Sequence, residues 1–181
     1  MPSTTALLII DVQQGLCEGV GQAWQSAEVI ARINHVSALA RQAQAPVIFI
    51  QHESSAGYLE RGTREWQLAT GLHAEPSDIR LRKTTPDAFL STVLKDTLDG
   101  LGVSSLVICG MHTEFCVDTT TRRALALGYP VTLVADGHTS AGNAVLSASQ
   151  VIAHHNATLT NISSFGPRVH AVDSSVLQNV F

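Results

Sequence analysis

Three side chains in this sequence have the makings of nucleophilic catalysis: Cys116, Asp11 and Lys83. A thiol that attacks carbon needs a base to take its proton and a cation to hold the charge left behind. Asp11 suits the first task and Lys83 the second, so no histidine is required. Cys116 stands in LVICGMHTEFCVDTTTRRALALG, residues 106–128. There an apolar run stops at Gly110, and Val117, Thr120, Ala124, Leu125 and Leu127 then recur at helical spacing until Gly128. The pattern predicts a buried strand, a tight loop and a helix capped by Thr113 and stopped by Gly128. Cys116 falls in the helix's first turn, where unpaired N–H groups and the positive end of the helix dipole favour a thiolate. Each residue also has a plainer reading: an inert buried thiol for Cys116, a loop-capping carboxylate for Asp11, a solvated amine for Lys83. Three such residues, all at strand ends, make joint coincidence the weaker reading.

The elements that must position these groups are legible in the hydropathy. Residues 6–10 form a continuous apolar run, as a strand buried on both faces should, and Asp11 ends it. A loop over 12–23 follows. Ser26 then caps a helix to about Gln44, with Val29, Ile30, Ile33, Val36, Leu39 and Ala43 on one stripe. Residues 47–50 make a second strand. Residues 52–77 read as a long connection with one helical turn at 65–69, the kind of loop that shapes a site. Residues 79–83 alternate as a third strand ending in Lys83. Pro86-Asp87 opens a helix carrying Phe89, Leu90, Val93, Leu94 and Leu98, closed by Gly100 and Gly102. After the fourth strand and its helix come a fifth strand at 130–135 ending in Asp136, a helix at 143–155, a short last strand at 157–161, and a helical tail at 173–180. Six strands alternating with helices describe one α/β domain over residues 1–181, three-layered and Rossmann-like, with a mainly parallel sheet. Sites in such sheets lie beyond the carboxyl ends of the strands, where Asp11, Lys83, Cys116 and Asp136 all fall.

Composition narrows the function. The chain has 181 residues, 45% hydrophobic and only 14% charged, which predicts an apolar surface and a homodimer or homotetramer. A net charge of −4 offers no basic face for nucleic acid or an anionic membrane. Three widely spaced cysteines make neither a disulfide framework nor a CxxC knuckle, and the first apolar run is too short for a signal peptide or membrane span. A cytoplasmic protein with a reduced Cys116 is the simplest expectation. No metal is expected: His154 and His155 are adjacent on a helix and face different ways, and His35, His73 and His170 lack ligand spacing. The Gly19 and Gly21 pair does not join a strand to a helix, so no phosphate cradle and no cofactor are expected. The partner is a small molecule. Its pocket is sought among Trp24, Tyr58, Trp66, Phe89 and Phe115, with Gln13 and Leu16 after the first strand, His52 after the second and His138 after the fifth. Phe89 and Phe115 also suit plain core.

Asp11 in LLIIDVQQGL, Lys83 in RKTTPDAF, and the stretch GMHTEFCVDTTTRRALALGYPVTLVADGHTS resemble the isochorismatase-like cysteine hydrolases. That superfamily includes nicotinamidase, N-carbamoylsarcosine amidase, streptothricin hydrolase and isochorismatase, and the resemblance runs from about residue 5 to 165. It implies a six-stranded sheet in the order 3-2-1-4-5-6, with Asp11 beside Cys116 and Lys83 reaching in from two strands away, roughly 10 Å. It implies Asp11, Lys83 and Cys116 as catalytic residues. It also implies a cis peptide before His112 that turns the His112 and Cys116 N–H groups to one point as an oxyanion hole. Two features depart from the family pattern. The Asp and paired His that bind metal in nicotinamidases have only His52 and Glu53 here, which weighs against metal-chelated nicotinamide. His112 stands where a small residue is usual. The segment after Cys116 looks closer to the streptothricin-hydrolase side than to nicotinamidase. The activity implied is hydrolysis of a carbon–nitrogen bond in a small amide, lactam or carbamoyl compound through a Cys116 thioester. Two alternatives stay open: vinyl-ether hydrolysis with Asp11 as acid, and a non-catalytic binding or redox-sensing role.

Overall fold

β1 (Thr4–Ile10) runs through the middle of the computed structural model, which describes residues 4–19, 21–178 and 180–181. Ala6, Leu8 and Ile10 point to one face of the sheet and Leu7 and Ile9 to the other, none more than 1% exposed. A pleated strand alternates its side chains, so burial of every one requires helices on both sides. The sheet has six strands in the order β3-β2-β1-β4-β5-β6. The others are β2 (Val47–His52), β3 (Ile79–Lys83), β4 (Val103–Met111), β5 (Val131–Thr139) and β6 (Val169–Val172), and every pairing is parallel.

A short α1 (Gln14–Cys17) follows β1, and α2 (Ser26–Gln42) lays Val29, Ile33, Val36 and Ala40 against the Leu7 and Ile9 face. The opposite face is covered by α3 (Leu94–Gly100), α4 (Asp118–Ala126) and α5 (Ala148–Asn161), through Leu94, Leu98, Ala124, Leu125 and Leu159. Each buried leucine, isoleucine or valine among them contributes about 1.5–3 kcal/mol by leaving water. The result is the three-layer α/β/α sandwich expected, with strand order reversing between β1 and β4, so that their carboxyl ends open on the switch-point crevice. Among the described residues no helix is long and apolar enough to cross a membrane.

Several elements differ from expectation. Residues 157–161 are not a strand but the end of α5, and the last strand is β6. The threonines that look strand-forming bond within the helix instead, Thr160 Oγ1 donating to Asn156 O at 2.7 Å. α5 starts at a capping box, with Ser147 accepting from Gln150 N, rather than at Asn143, which holds a turn by accepting from Val145 and Leu146 N–H. The helix expected from Pro86 is confined to α3, because Ser91 adopts φ +56 and Asp87 Oδ1 ties down Phe89 N in a turn. Phe89 is buried in the core all the same, stacked on Tyr129. Residues 65–69 form turns, with Leu68 bridging to Gln13. The tail has one 3-10 turn, Ser174–Val176. Val20, in the expected first loop, and Asn179, in the expected tail helix, lie outside the described residues, as do residues 1–3.

Candidate active site

The crevice is set by a close approach of two strands. Ile10 and Gly110 are register partners, and a Cβ on Gly110 would lie 2.0 Å from Ile10 O. Only glycine, here at φ +123, lets β4 pass so near β1. Asp11 follows in the left-handed region, φ +53, which a short polar side chain tolerates. β4 leads into a cis peptide between Met111 and His112 and then a π-helical turn, Thr113–Val117, in which Val117 N–H reaches His112 O at 3.2 Å. Wide turns of this kind recur at functional sites, and this one carries Cys116. Thr113 is not an N-cap: its hydroxyl meets His138 Nδ1 at 2.8 Å, and His138 Nε2 meets Asn156 Oδ1 at 2.9 Å. Asn156 Oδ1 is an acceptor, since its Nδ2 donates to Ala135 O, so His138 carries its proton on Nε2 and Thr113 donates to Nδ1. The turn that carries Cys116 is thereby tied to β5 and α5.

β3 delivers Lys83 to the same place. Its Nζ lies 2.6 Å from Asp11 Oδ2, 3.1 Å from Thr85 O, 3.2 Å from Cys116 Sγ and 3.3 Å from His52 Nδ1. An ammonium has three hydrogens, so these four acceptors share them, and His52 Nδ1 must offer its lone pair. The Lys83 and Asp11 side chains are 0% and 1% exposed. A buried ion pair of this kind adds little net stability, because desolvation offsets the attraction, yet removing one partner leaves a stranded charge.

Burial above all, and then the Asp11 charge, push the Cys116 thiol up to about 12 against the opposing pull of Lys83. Burial and the Asp11 charge thus work against the thiolate, and the group rests as a thiol. The ligand atoms of Asp11, His52 and Cys116 lie within 4.8 Å of one another, and Asp11 Oδ1 is sealed from solvent without a hydrogen-bond partner. A carboxylate oxygen with a spare lone pair thus sits beside a thiol with a proton to lose. Burial lowers the pKa of His52, helped by Lys83, and burial likewise lowers that of His112, so both rings are neutral near pH 7. Cys17, raised to about 12 by burial and then Glu18, and Cys109, raised by burial, lie in the core on the α2 side of the sheet.

These groups floor a cavity of about 270 Å³. Asp11, His52, His112 and Cys116 line it with polar groups; Leu16, Leu59, Met111 and Phe115 make its apolar wall. Leu16, His52 and Phe115, sought for the pocket, are among its lining residues. Gln13 is not on the cavity but clamps it from behind: fully buried, it accepts from His52 N–H and donates to His52 O and Trp66 O. Trp66, Tyr58, Phe89, Trp24 and His138 do not line it either. Tyr58 is exposed and donates to Gly15 O over a neighbouring surface cleft. Trp24 and His138 face a separate groove of about 350 Å³ against α2, β5 and α5. Asp136 also stays apart, bonding Ser174 N–H and Oγ at 2.7 and 2.9 Å. Leu59 and Met111 were missed; Met111 adjoins the Cys116 segment, but Leu59, at φ +62 in an irregular loop, gives no periodic signal. The Asp11, His52 and Cys116 donors form a candidate metal set that the sequence spacing did not reveal. They do not fit a metal as they stand, because the Lys83 ammonium already bonds to all three.

The Isochorismatase domain model matches residues 5–166. Among curated proteins, a streptothricin hydrolase of Streptomyces noursei is 37% identical over 74% of this chain and 49% of its own length. The ureidoacrylate amidohydrolase RutB of Methylobacterium radiotolerans is 28% identical over 91% of this chain and 75% of its own. The chain spans about half the length of the streptothricin hydrolases it matches. A crystal structure described as an isochorismatase family protein superposes with a TM-score of 0.84 at 38% identity, covering 92% of this chain and 98% of that one. With the domain match running over nearly all of the sheet that positions Asp11, Lys83 and Cys116, this chain belongs to the isochorismatase family.

Proposed function

We propose that the protein is a cysteine hydrolase that cleaves a carbon–nitrogen bond of a small amide, lactam or carbamoyl compound. The observation that carries this reading is the Lys83 ammonium held within hydrogen-bond reach of both Asp11 and Cys116 at the floor of the cavity. Relatives named as a streptothricin hydrolase and a ureidoacrylate amidohydrolase support the reaction class. In the mechanism, Asp11 takes the Cys116 proton as sulfur bonds to the substrate carbonyl carbon, and Lys83 offsets the charge that forms. The backbone N–H groups of His112 and Cys116 hold the oxyanion. Collapse breaks the carbon–nitrogen bond, and Asp11 returns its proton to the departing nitrogen. Water then loses a proton to Asp11 as its oxygen adds to the thioester; the second collapse releases the acid, and sulfur recovers its proton. One amide and one water become one acid and one amine.

The resting thiol fits this order, since the proton leaves only when attack begins. Cys116→Ala is expected to lower turnover at least roughly 10³-fold on an amide panel read by ammonia release. Intact mass should show an acyl adduct on the wild type alone. Full turnover of those amides by Cys116→Ala would rule out the thioester.

A further inference from the structure

Among the described residues, the lining of the cavity over Cys116 offers a ligand no cation. Its wall is Leu16, Leu59, Met111 and Phe115, and among its described lining residues there is no lysine or arginine. Lys83 lies beneath the floor, its hydrogens shared among Asp11, Thr85, Cys116 and His52. Of the arginines on the surrounding elements, Arg82, Arg64 and Arg122 are spent on Glu53, Glu18 and Asp118, while Arg61 and Arg80 are exposed and do not line the cavity. His52 and His112, the two rings on the cavity, are kept neutral by burial. A carboxylate entering here would lose water, gain no charged partner, and approach the Asp11 oxygens.

We propose that the substrate part held in this cavity is uncharged and mainly apolar, and that compounds carrying a carboxylate there are rejected. The volume, about 270 Å³, falls just under the usual range for drug-sized ligands and suits a short acyl group or a small ring. This rests on the reading of Cys116 as the group that meets the acyl carbon, and it narrows that reading to a substrate class.

Two reagents of nearly equal size test the charge preference without requiring turnover: iodoacetamide and iodoacetate. Their alkylation rates at Cys116, followed by peptide mass and each divided by the rate on free cysteine, should favour iodoacetamide by about tenfold or more. Leu16→Lys, which places a cation in the wall, should reduce or reverse that ratio. The substrate arm compares 4-methylpentanamide with succinamate, in which a carboxylate replaces the isopropyl terminus; the neutral amide should have the higher kcat/KM by a similar factor. Equal or faster labelling by iodoacetate, preference for succinamate, or a ratio untouched by Leu16→Lys would each overturn the proposal. If neither amide is cleaved while the alkylation ratio holds and responds to Leu16→Lys, the charge preference stands and the hydrolase reading fails.

Discussion

Asp11 and Asp136 both follow apolar strand runs near the carboxyl end of the same sheet, and they do opposite things. Asp11 is 1% exposed, bonded by Oδ2 to one buried ammonium, with Oδ1 sealed and unpartnered. Asp136 lies within β5 where its pairing with β4 shifts, and both its oxygens are taken, Oδ1 by Ser174 N–H and Oδ2 by Ser174 Oγ, with Arg32 3.5 Å away. A carboxylate whose acceptors are all filled is a brace. One that is dry and short of a partner keeps a lone pair free, here beside a thiol. What separates the two is the completeness of the bonding around them and the strand pairing that sets their neighbours.

That contrast can be attacked at decreasing cost. Gly110→Ala should be the most damaging change, on the order of 4 kcal/mol or more in urea unfolding, because the new methyl meets Ile10 O and drives β1 and β4 apart. Lys83→Met should cost about 3–5 kcal/mol by stranding the Asp11 charge, and adding Asp11→Asn should recover part of that loss rather than sum with it. Simple additivity in that double-mutant cycle would mean the pair is not coupled.

The His138 link to the turn that carries Cys116 is sensitive to acid. Burial above all holds this histidine down to about 4. Its neutral form is the one the fold prefers, so its contribution is present above the ordinary value near 6.5 and is lost as pH falls toward 4. The loss is at most about 3 kcal/mol. Urea midpoints at pH 7 and pH 4.5 should therefore differ more in the wild type than in His138→Gln; equal differences would contradict the assignment. Asp136→Asn should be the mildest change, about 1 kcal/mol, and should leave iodoacetamide labelling of Cys116 unaltered. If it slowed labelling as much as Asp11→Asn does, the two carboxylates would not differ in kind.

Much of this was legible along the chain. Runs such as residues 6–10 and 106–109 announce strands buried on both faces, and the apolar stripe from Val29 to Ala43 announces α2, because such patterns need only the identities of neighbours a few residues apart. Asp11, Lys83 and Cys116 stand out the same way, as chemistry-bearing residues at or just beyond strand ends. Residues 157–161 were misread because β-branched composition resembles a strand when the capping box ten residues upstream is ignored. Only the tertiary structure decided that Trp24 and His138 face another groove, that Gln13 braces His52, and that Leu59 closes the cavity. It alone decided the state of the thiol, since a helix end acts locally, whereas desolvation comes from everything packed around the sulfur. The Lys83 contacts to Asp11 and Cys116 join residues 72 and 33 positions apart, and no local pattern encodes how much water remains where they meet.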